Sequence, residues 1–473
     1  MSTAVAEIAE KVSPQGGSKL ANFRLIPRIE TYPAIVSFAQ TVPGKLVLLA
    51  VFGAGLSLYH EHWRQVILCL ALMTFMARSR RLLLTLATVA FVFATHRNSG
   101  ALTEATIAAV LVLGSFLFWC ATRWPRSWFG RRPILSLLSG FTVVIVIASR
   151  IPAGSKVYSL VWIFVEFLTM YIWFIGYSLL DRSSADRDPV TLQVGTYRPF
   201  WGSTHTPYPK GAAYLRRIEA RDAQQLAITQ LKGLKLLAWS AIIALFYTQF
   251  KRLFHDFLSI PSLAQALDLS VKGTPLPWHL CWASVILSFF ENIMAISILG
   301  HRIIACCRMA GFNALRNTYR PLSSVTVAEF FNRYYFYFKE LLVDFFFYPV
   351  FFKYFKRRRN LRLTAAIFAA ACFGNAFFHF THDWRLIQGL GFWRALAGFQ
   401  VYIFYSIVLA TAISVSQFRH RRPAHTGFLR QRLVPVSCVV FFYCLLNVFD
   451  STERSHSLLE HFRFLGHLFY LNF

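Results

Sequence analysis

The chain has 473 residues, of which 56% are hydrophobic and 17% aromatic but only 15% charged, and its mean hydropathy is +0.47. That composition belongs to an integral membrane protein and leaves no soluble domain large enough to fold alone. The net charge of +28 raises nucleic acid as a partner, but its distribution along the chain reads as membrane topology, and no nucleic acid is expected.

Residues 1–34 form a polar N-terminal tail without the apolar core of a cleavable signal peptide. Apolar runs follow at about 45–59, 66–76, 82–95, 102–122, 134–149 and 157–180, so 35–180 reads as the N-terminal group of membrane helices, about six crossings. Glu166 lies inside the last of these, within "VWIFVEFLTMYIW". A carboxyl there is expected either to hold helices together through a hydrogen bond or to face a cavity.

The stretch 181–233 is long and polar, and includes "GTYRPFWGSTHTPYPKG" followed by the charged helical run "AAYLRRIEARDAQQLAITQLKG". An ordered loop with an amphipathic surface helix is one reading; a functional connection whose Tyr, Trp, His and Gly residues line an access path is the other.

From 234 to 473 the runs are longer and more aromatic, at about 234–250, 278–300, 325–352, 363–383, 395–418 and 433–449. Because they are continuous and do not alternate, the fold expected is an all-α polytopic helical bundle of roughly 10–12 membrane segments, not a β-barrel. Glu291 and Asn292 lie within the run around 278–300, and Lys353, Lys356, Arg357, Arg358, Arg359 and Arg362 form a basic loop before the run at 363. Arg419, Arg421, Arg422, Arg430 and Arg432 form a second basic loop two crossings later, while the turn between those crossings holds only Arg385 and Arg394. By the positive-inside rule both basic loops are cytoplasmic and the turn after Trp384 is not.

Six of the eight cysteines lie in apolar runs, and Cys306 and Cys307 lie at a basic boundary, so free thiols are expected. The absence of CxxC pairs argues against structural zinc, and no P-loop, GxGxxG or GxSxG pattern is present.

The densest polar cluster ends the run at 363–383. In "GNAFFHFTHDW" the spacing places Asn375, His379 and Asp383 at i, i+4 and i+8, with His382 three residues from His379. A partner on one ring nitrogen would leave the other free to take a proton, which a general base requires. His379 is sixteen residues past Leu363. That is about 24 Å along a straight helix, in the half of the membrane away from the basic loops.

The segment "NTYRPLSSVTVAEFFNRYYFYFKELLVDFFFYPVFF" (317–352) resembles the signature region of the membrane-bound O-acyltransferase (MBOAT) family, of the bacterial polysaccharide-acylating type. The matching residues are Pro321, Ser323 or Ser324, Glu329, Phe330, Arg333, Asp344 and Pro349, and "FGNAFFHF" puts His379 at the family's histidine. The chain departs from the pattern where Phe331 and Tyr334 replace tryptophans and Tyr335 replaces a histidine.

The resemblance implies transfer of an acyl group from a thioester, such as acyl-CoA, to a hydroxyl of an envelope polysaccharide or secreted molecule. It implies His379 as general base and Tyr335 or Asn332 as second polar catalytic residue. Spacing gives Asn375, His382 and Asp383 supporting roles, and Glu291, like Glu166, is expected either to hold helices together through a hydrogen bond or to support the site from a cavity. No bound cofactor or metal is implied. The partners implied are membrane lipid, the thioester donor, the hydroxyl acceptor and an extracytoplasmic partner protein, at a bacterial inner membrane. A degenerate scaffold subunit and a transporter are the rival classes, the latter weakened by the lack of an internal repeat.

Overall fold

In the computed structural model the residues described are 25–182, 188–418, 427, 429–450 and 456–471. Their regular structure is helical, with a single isolated bridge between Glu219 and Phe312 and no strand among the described residues. Backbone N–H and C=O groups find no water in hydrocarbon, so an apolar chain of this kind satisfies them within helices.

The N-terminal helices are α1 (Pro33–Gln40), α2 (Val42–Ser57), α3 (Trp63–Phe75), α4 (Arg80–His96), α5 (Ala101–Arg123), α6 (Pro133–Ala148) and α7 (Tyr158–Asp181). After the polar stretch come α8 (Ala223–Phe257) and α9 (Trp278–Met309), then α10 (Val327–Tyr334) and α11 (Phe336–Leu342). The last are α12 (Arg359–His382), α13 (Gln400–Phe418) and α14 (Leu429–Phe449). Among the described residues seven helices, α5, α7, α8, α9, α12, α13 and α14, are long and apolar enough to cross a membrane. The protein is a multi-pass all-α membrane protein.

The remaining apolar runs take other forms. α1 and α2 meet at a 97° bend. There the Thr41 hydroxyl caps the Gly44 amide at 3.1 Å, and a Cβ on Gly44 would fall 1.9 Å from the Phe38 carbonyl oxygen. α3 and α6 are apolar but shorter, at 13 and 16 residues. The run 325–352 is not one crossing: it breaks at Tyr335, whose backbone (φ −137°, ψ 71°) leaves the helix.

That break is possible because residues 317–319 supply its hydrogen bonds. The Asn317 carbonyl accepts from the Phe336 amide at 3.0 Å, and the Tyr319 amide donates to the Arg333 carbonyl at 2.8 Å. The Asn317 side-chain oxygen accepts from the Tyr337 amide, and the Thr318 hydroxyl donates to the Tyr334 carbonyl at 2.8 Å.

α8 and α9 pack antiparallel along their length, as three pairs show. Gln230 donates to the Met309 carbonyl, Ser240 to the Ile298 carbonyl, and His255 lies 2.6 Å from Glu291. The surface amphipathic helix expected near 212–233 is divided instead. A short helix, Ala212–Ile218, ends where Glu219 pairs with Phe312, and Asp222 caps α8 by accepting from the Gln225 amide at 2.7 Å. Residues 223–233 are thus the first turns of α8 and largely buried. The segment 25–32 is likewise no loose tail, since Glu30 forms a buried ion pair with Lys235.

The polar stretch carries the least expected feature. From Asp188 to Lys210 the chain dives among the helices with little regular structure. Tyr197 and Phe200 are fully buried, and the Arg198 guanidinium reaches Met170, halfway along α7. Several of its polar groups are matched: Thr88 on α4 donates to the Gly195 carbonyl and accepts from the Phe200 amide, and the Trp201 indole donates to the Tyr208 carbonyl at 2.9 Å. Non-helical backbone at membrane depth persists only when enclosed by protein in this way.

All eight cysteines are free thiols. The basic loop at 353–362 and Arg430 and Arg432 lie at the same end of the bundle, because α12 and α13 run antiparallel between them. Arg419, Arg421 and Arg422 lie outside the described residues. Arg131, Arg132 and Arg182 join Lys353 around one cavity, so this end collects further positive charge. The expected orientation has this end in the cytoplasm. A cysteine introduced at Gln388 should label from outside intact cells and one at Arg358 only in inverted vesicles; the reverse pattern would overturn the topology.

Candidate active site

His379 stands one turn before the end of α12 and is half-buried. Its ring is enclosed by aromatic neighbours, with centroid separations of 4.6 Å to Tyr402, 5.2 Å to Phe378 and 5.6 Å to Phe338. Asn375, one turn earlier and fully buried, accepts from the Tyr402 hydroxyl at 3.3 Å and donates to Ser406 at 3.5 Å. Asn375 therefore acts on His379 through Tyr402, locking the ring that lies against it.

One of the expected neighbours is arranged otherwise. Asp383 does not continue the helical face, because its backbone (φ −89°, ψ 41°) ends the helix, and its carboxylate lies 3.3 Å from His382. Glu291 is engaged elsewhere: it bonds His255 Nε2 at 2.6 Å, while His255 Nδ1 lies 2.6 Å from the Ile260 carbonyl. Its neighbour Asn292 bonds Asn447 at 2.8 Å, which ties α9 to α14. Glu166 faces Arg385 at 3.8 Å. The Glu291–His255 and Asn292–Asn447 bonds fasten one helix to another.

Tyr335 and Asn332, equal candidates on spacing, are separated by the break. Asn332 is exposed and lines a cavity of about 310 Å³ with Lys339, Leu363 and Ile413. Tyr335 turns to the diving segment, where its hydroxyl lies 3.3 Å from Thr204 Oγ1 and 3.4 Å from Thr206 Oγ1. Its ring lies 5.3 Å from Phe338, which is the same ring that flanks His379.

Between those threonines is His205, whose ring centroid is 3.9 Å from that of His382. The tip of the diving segment thus meets both Tyr335 and the His379 end of α12. Spacing arguments on α12 alone miss His205, Thr204, Thr206 and Tyr402. The available signal was the polar, aromatic "FWGSTHTPYPK" between apolar halves.

The segment is anchored past Tyr208 by Lys210. Its ammonium pairs with Glu340 and lies 2.7 Å from Asp344, which also accepts from the Tyr177 hydroxyl at 3.1 Å. Burial opposes the Lys210 charge, but Asp344 and Glu340 outweigh it and hold the ammonium above its usual range. Of the residues matched in 317–352, Ser323, Glu329 and Arg333 also cluster. Arg333 donates to Ser323 at 2.7 Å and pairs with Glu329 at 2.6 Å, and Glu329 accepts from the Val325 amide at 2.8 Å. They shape the entry to α10.

No family model matches the chain, and no curated protein matches it.

The position of His205 makes the segment sensitive to acid. Burial first, and then the charges of His382, Arg198 and His379, push its pKa down to about 3. An unfolded histidine takes up a proton near pH ~6.5, so below that the opened segment binds more protons than the packed one. The packing is therefore fully stable above about pH 6.5 and weakens as the pH falls. Hydrogen exchange at residues 203–208, corrected for intrinsic rates, should quicken between about pH 7.5 and 5.5, and His205→Gln should flatten that response.

Proposed function

We propose that this protein is a membrane-embedded O-acyltransferase that moves an acyl group from a thioester to a hydroxyl, with His379 as general base. The observation that carries the reading is the non-helical segment whose tip brings hydroxyls and His205 to the His379 end of α12. Burying irregular polar backbone among membrane helices is costly, and such segments serve as linings of polar paths.

Two further features support it. A cavity of about 760 Å³ has Arg131, Arg132, Arg182 and Lys353 at one side and Phe345, Phe346, Phe373 and Phe377 at another. Cations suit the phosphates of an acyl-CoA and aromatic walls suit its chain; Phe377 lies two residues from His379 on the same helix. The resemblance of 317–352 to acyltransferases supplies the reaction class. We further propose that it resides in a bacterial inner membrane, acts on an envelope or secreted acceptor and works with an extracytoplasmic partner protein.

The chemistry requires few groups. His379 takes the proton of the acceptor hydroxyl while that oxygen attacks the thioester carbonyl carbon. The C–S bond then breaks, the new ester forms, and the departing thiolate recovers the proton from His379. Tyr335 can donate a hydrogen bond to the developing oxyanion.

Acyl transfer or acyl-CoA hydrolysis by the purified protein in detergent tests the reading. His379→Ala should abolish turnover with membrane insertion intact, and wild-type turnover would overturn the base assignment. Tyr335→Phe should lower turnover by about 10²–10³, the scale for losing one oxyanion donor, whereas Asn332→Ala should leave it within a few fold. A fully active Tyr335→Phe beside a dead Asn332→Ala would transfer the role to Asn332.

A further inference from the structure

A second cavity, of about 920 Å³, opens between the first turns of α8, the last turns of α9 and the loop after α9. Neither His379 nor Tyr335 lines it. Among the described residues five cations do: Arg28, Lys232, Lys235, Arg316 and Arg320. Among the described residues the carboxylate that faces them is Glu30, which pairs with Lys235. Burial alone would raise the Glu30 carboxyl, but the hydrogen bond from Lys235 and the charge of Lys232 prevail and keep it below the usual carboxylate range.

The cluster is built, not merely collected. Arg316 and Arg320 both lie over the ring of Tyr319, with guanidinium carbons 6.0 and 5.7 Å from its centroid. Arg320 adopts φ +49°, a left-handed conformation uncommon for a residue other than glycine. The backbone bond from Tyr319 to Arg333 holds the loop in that shape. Burial pushes the Arg316 guanidinium down and the like charge of Arg320 adds to that, with Tyr319 and Glu30 pulling the other way. Two neighbouring guanidinium groups over one ring repel unless an anion lies between them.

The apolar part gives the cavity direction. Lys232, Lys235, Trp239 and Ile243 follow one another along a single face of α8, and all line the cavity. The wall passes from ammonium through indole to aliphatic within eleven residues of α8, about 16 Å. That is the sequence of environments a phospholipid crosses from headgroup to acyl chain.

We infer that this cavity is a binding site for a phosphate-bearing ligand, its phosphate held by Arg316, Arg320, Arg28 and Lys232. Arginine forks suit phosphate oxygens because two parallel N–H donors reach them at once. Two sources carry that chemistry: the headgroup of an anionic lipid, whose chain would run along Trp239 and Ile243, and a soluble phosphate compound. The site is separate from the proposed acyl transfer and its test reads binding, so one can fail without the other.

The test uses the full-length protein in neutral detergent, followed by intrinsic thermal unfolding and by native mass spectrometry. Dioleoylphosphatidylglycerol, dioleoylphosphatidylcholine and sodium pyrophosphate are titrated separately. Stabilisation by phosphatidylglycerol beyond phosphatidylcholine supports a lipid source, and stabilisation by pyrophosphate supports a soluble one. In either case Arg316→Gln with Arg320→Gln should raise the apparent Kd about tenfold or more, the scale for losing charge-assisted hydrogen bonds. Arg28→Gln with Lys232→Gln, on other walls, should act in the same direction and covers the case in which the first pair fails to fold. Arg357→Gln with Arg358→Gln, in the basic loop outside the cavity, should leave binding unchanged. No ligand-dependent shift with any of the three probes, or equal shifts in wild type and both cavity pairs, would overturn the proposal.

Discussion

The ammonium of Lys210, held between Glu340 and Asp344, decides where the polar half-loop of this protein can go. Leaving any one of these charges buried without its partners costs about 3–5 kcal/mol, more than most single contacts in a bundle supply. The pairing fixes the outgoing limb of the diving segment to the helix that follows the break at Tyr335. The Tyr177 hydroxyl donating to Asp344 adds α7 to the same knot. With both limbs anchored, by Thr88 on one side and Lys210 on the other, the tip carrying Thr204, His205 and Thr206 has only one place to be.

That constraint explains why the fold class was readable from the chain and the surroundings of the candidate site were only partly so. Continuous apolar runs of membrane length have one stable outcome, so the spans at α5, α7, α9 and α13 follow from composition alone. His379 was legible for a local reason as well: a histidine beside asparagine, aromatic and acidic residues on one apolar helix stands out against its surroundings. Its partners were not, because Tyr402 lies on another helix and His205 comes from a loop whose destination no local pattern encodes.

The misplaced expectations share that origin. Asp383 was assigned to the His379 face by extending helical periodicity one residue beyond the helix end. Asn332 and Tyr335 looked alike because periodicity assumed a continuous helix, whereas residues 317–319 satisfy a break between them. Glu291 does hold two helices together, as expected of an intramembrane carboxyl, but its partner, His255, at the far end of α8, could not be read from spacing. Each depended on a contact between segments far apart in sequence.

Helix register joins these levels. α12 is not α-helical throughout: residues Phe368–Gly374 form a widened π turn immediately before Asn375. The segment after α11 contains another, Val343–Phe347. The two meet where a Cβ on Gly374 would fall 2.5 Å from Phe346 Cδ2, an approach open only to glycine. A π turn inserts one residue without advancing the helix, which rotates everything after it by about 100° relative to an unbroken α-helix. Asn375 and His379 face Tyr402 and Phe338 in the register that follows this wide turn, where Phe346 packs on Gly374. The same contact ties the register of α12 to the segment carrying Glu340 and Asp344, and so to Lys210. A rotation at one of the two π turns would separate the histidine from the polar tip that meets it.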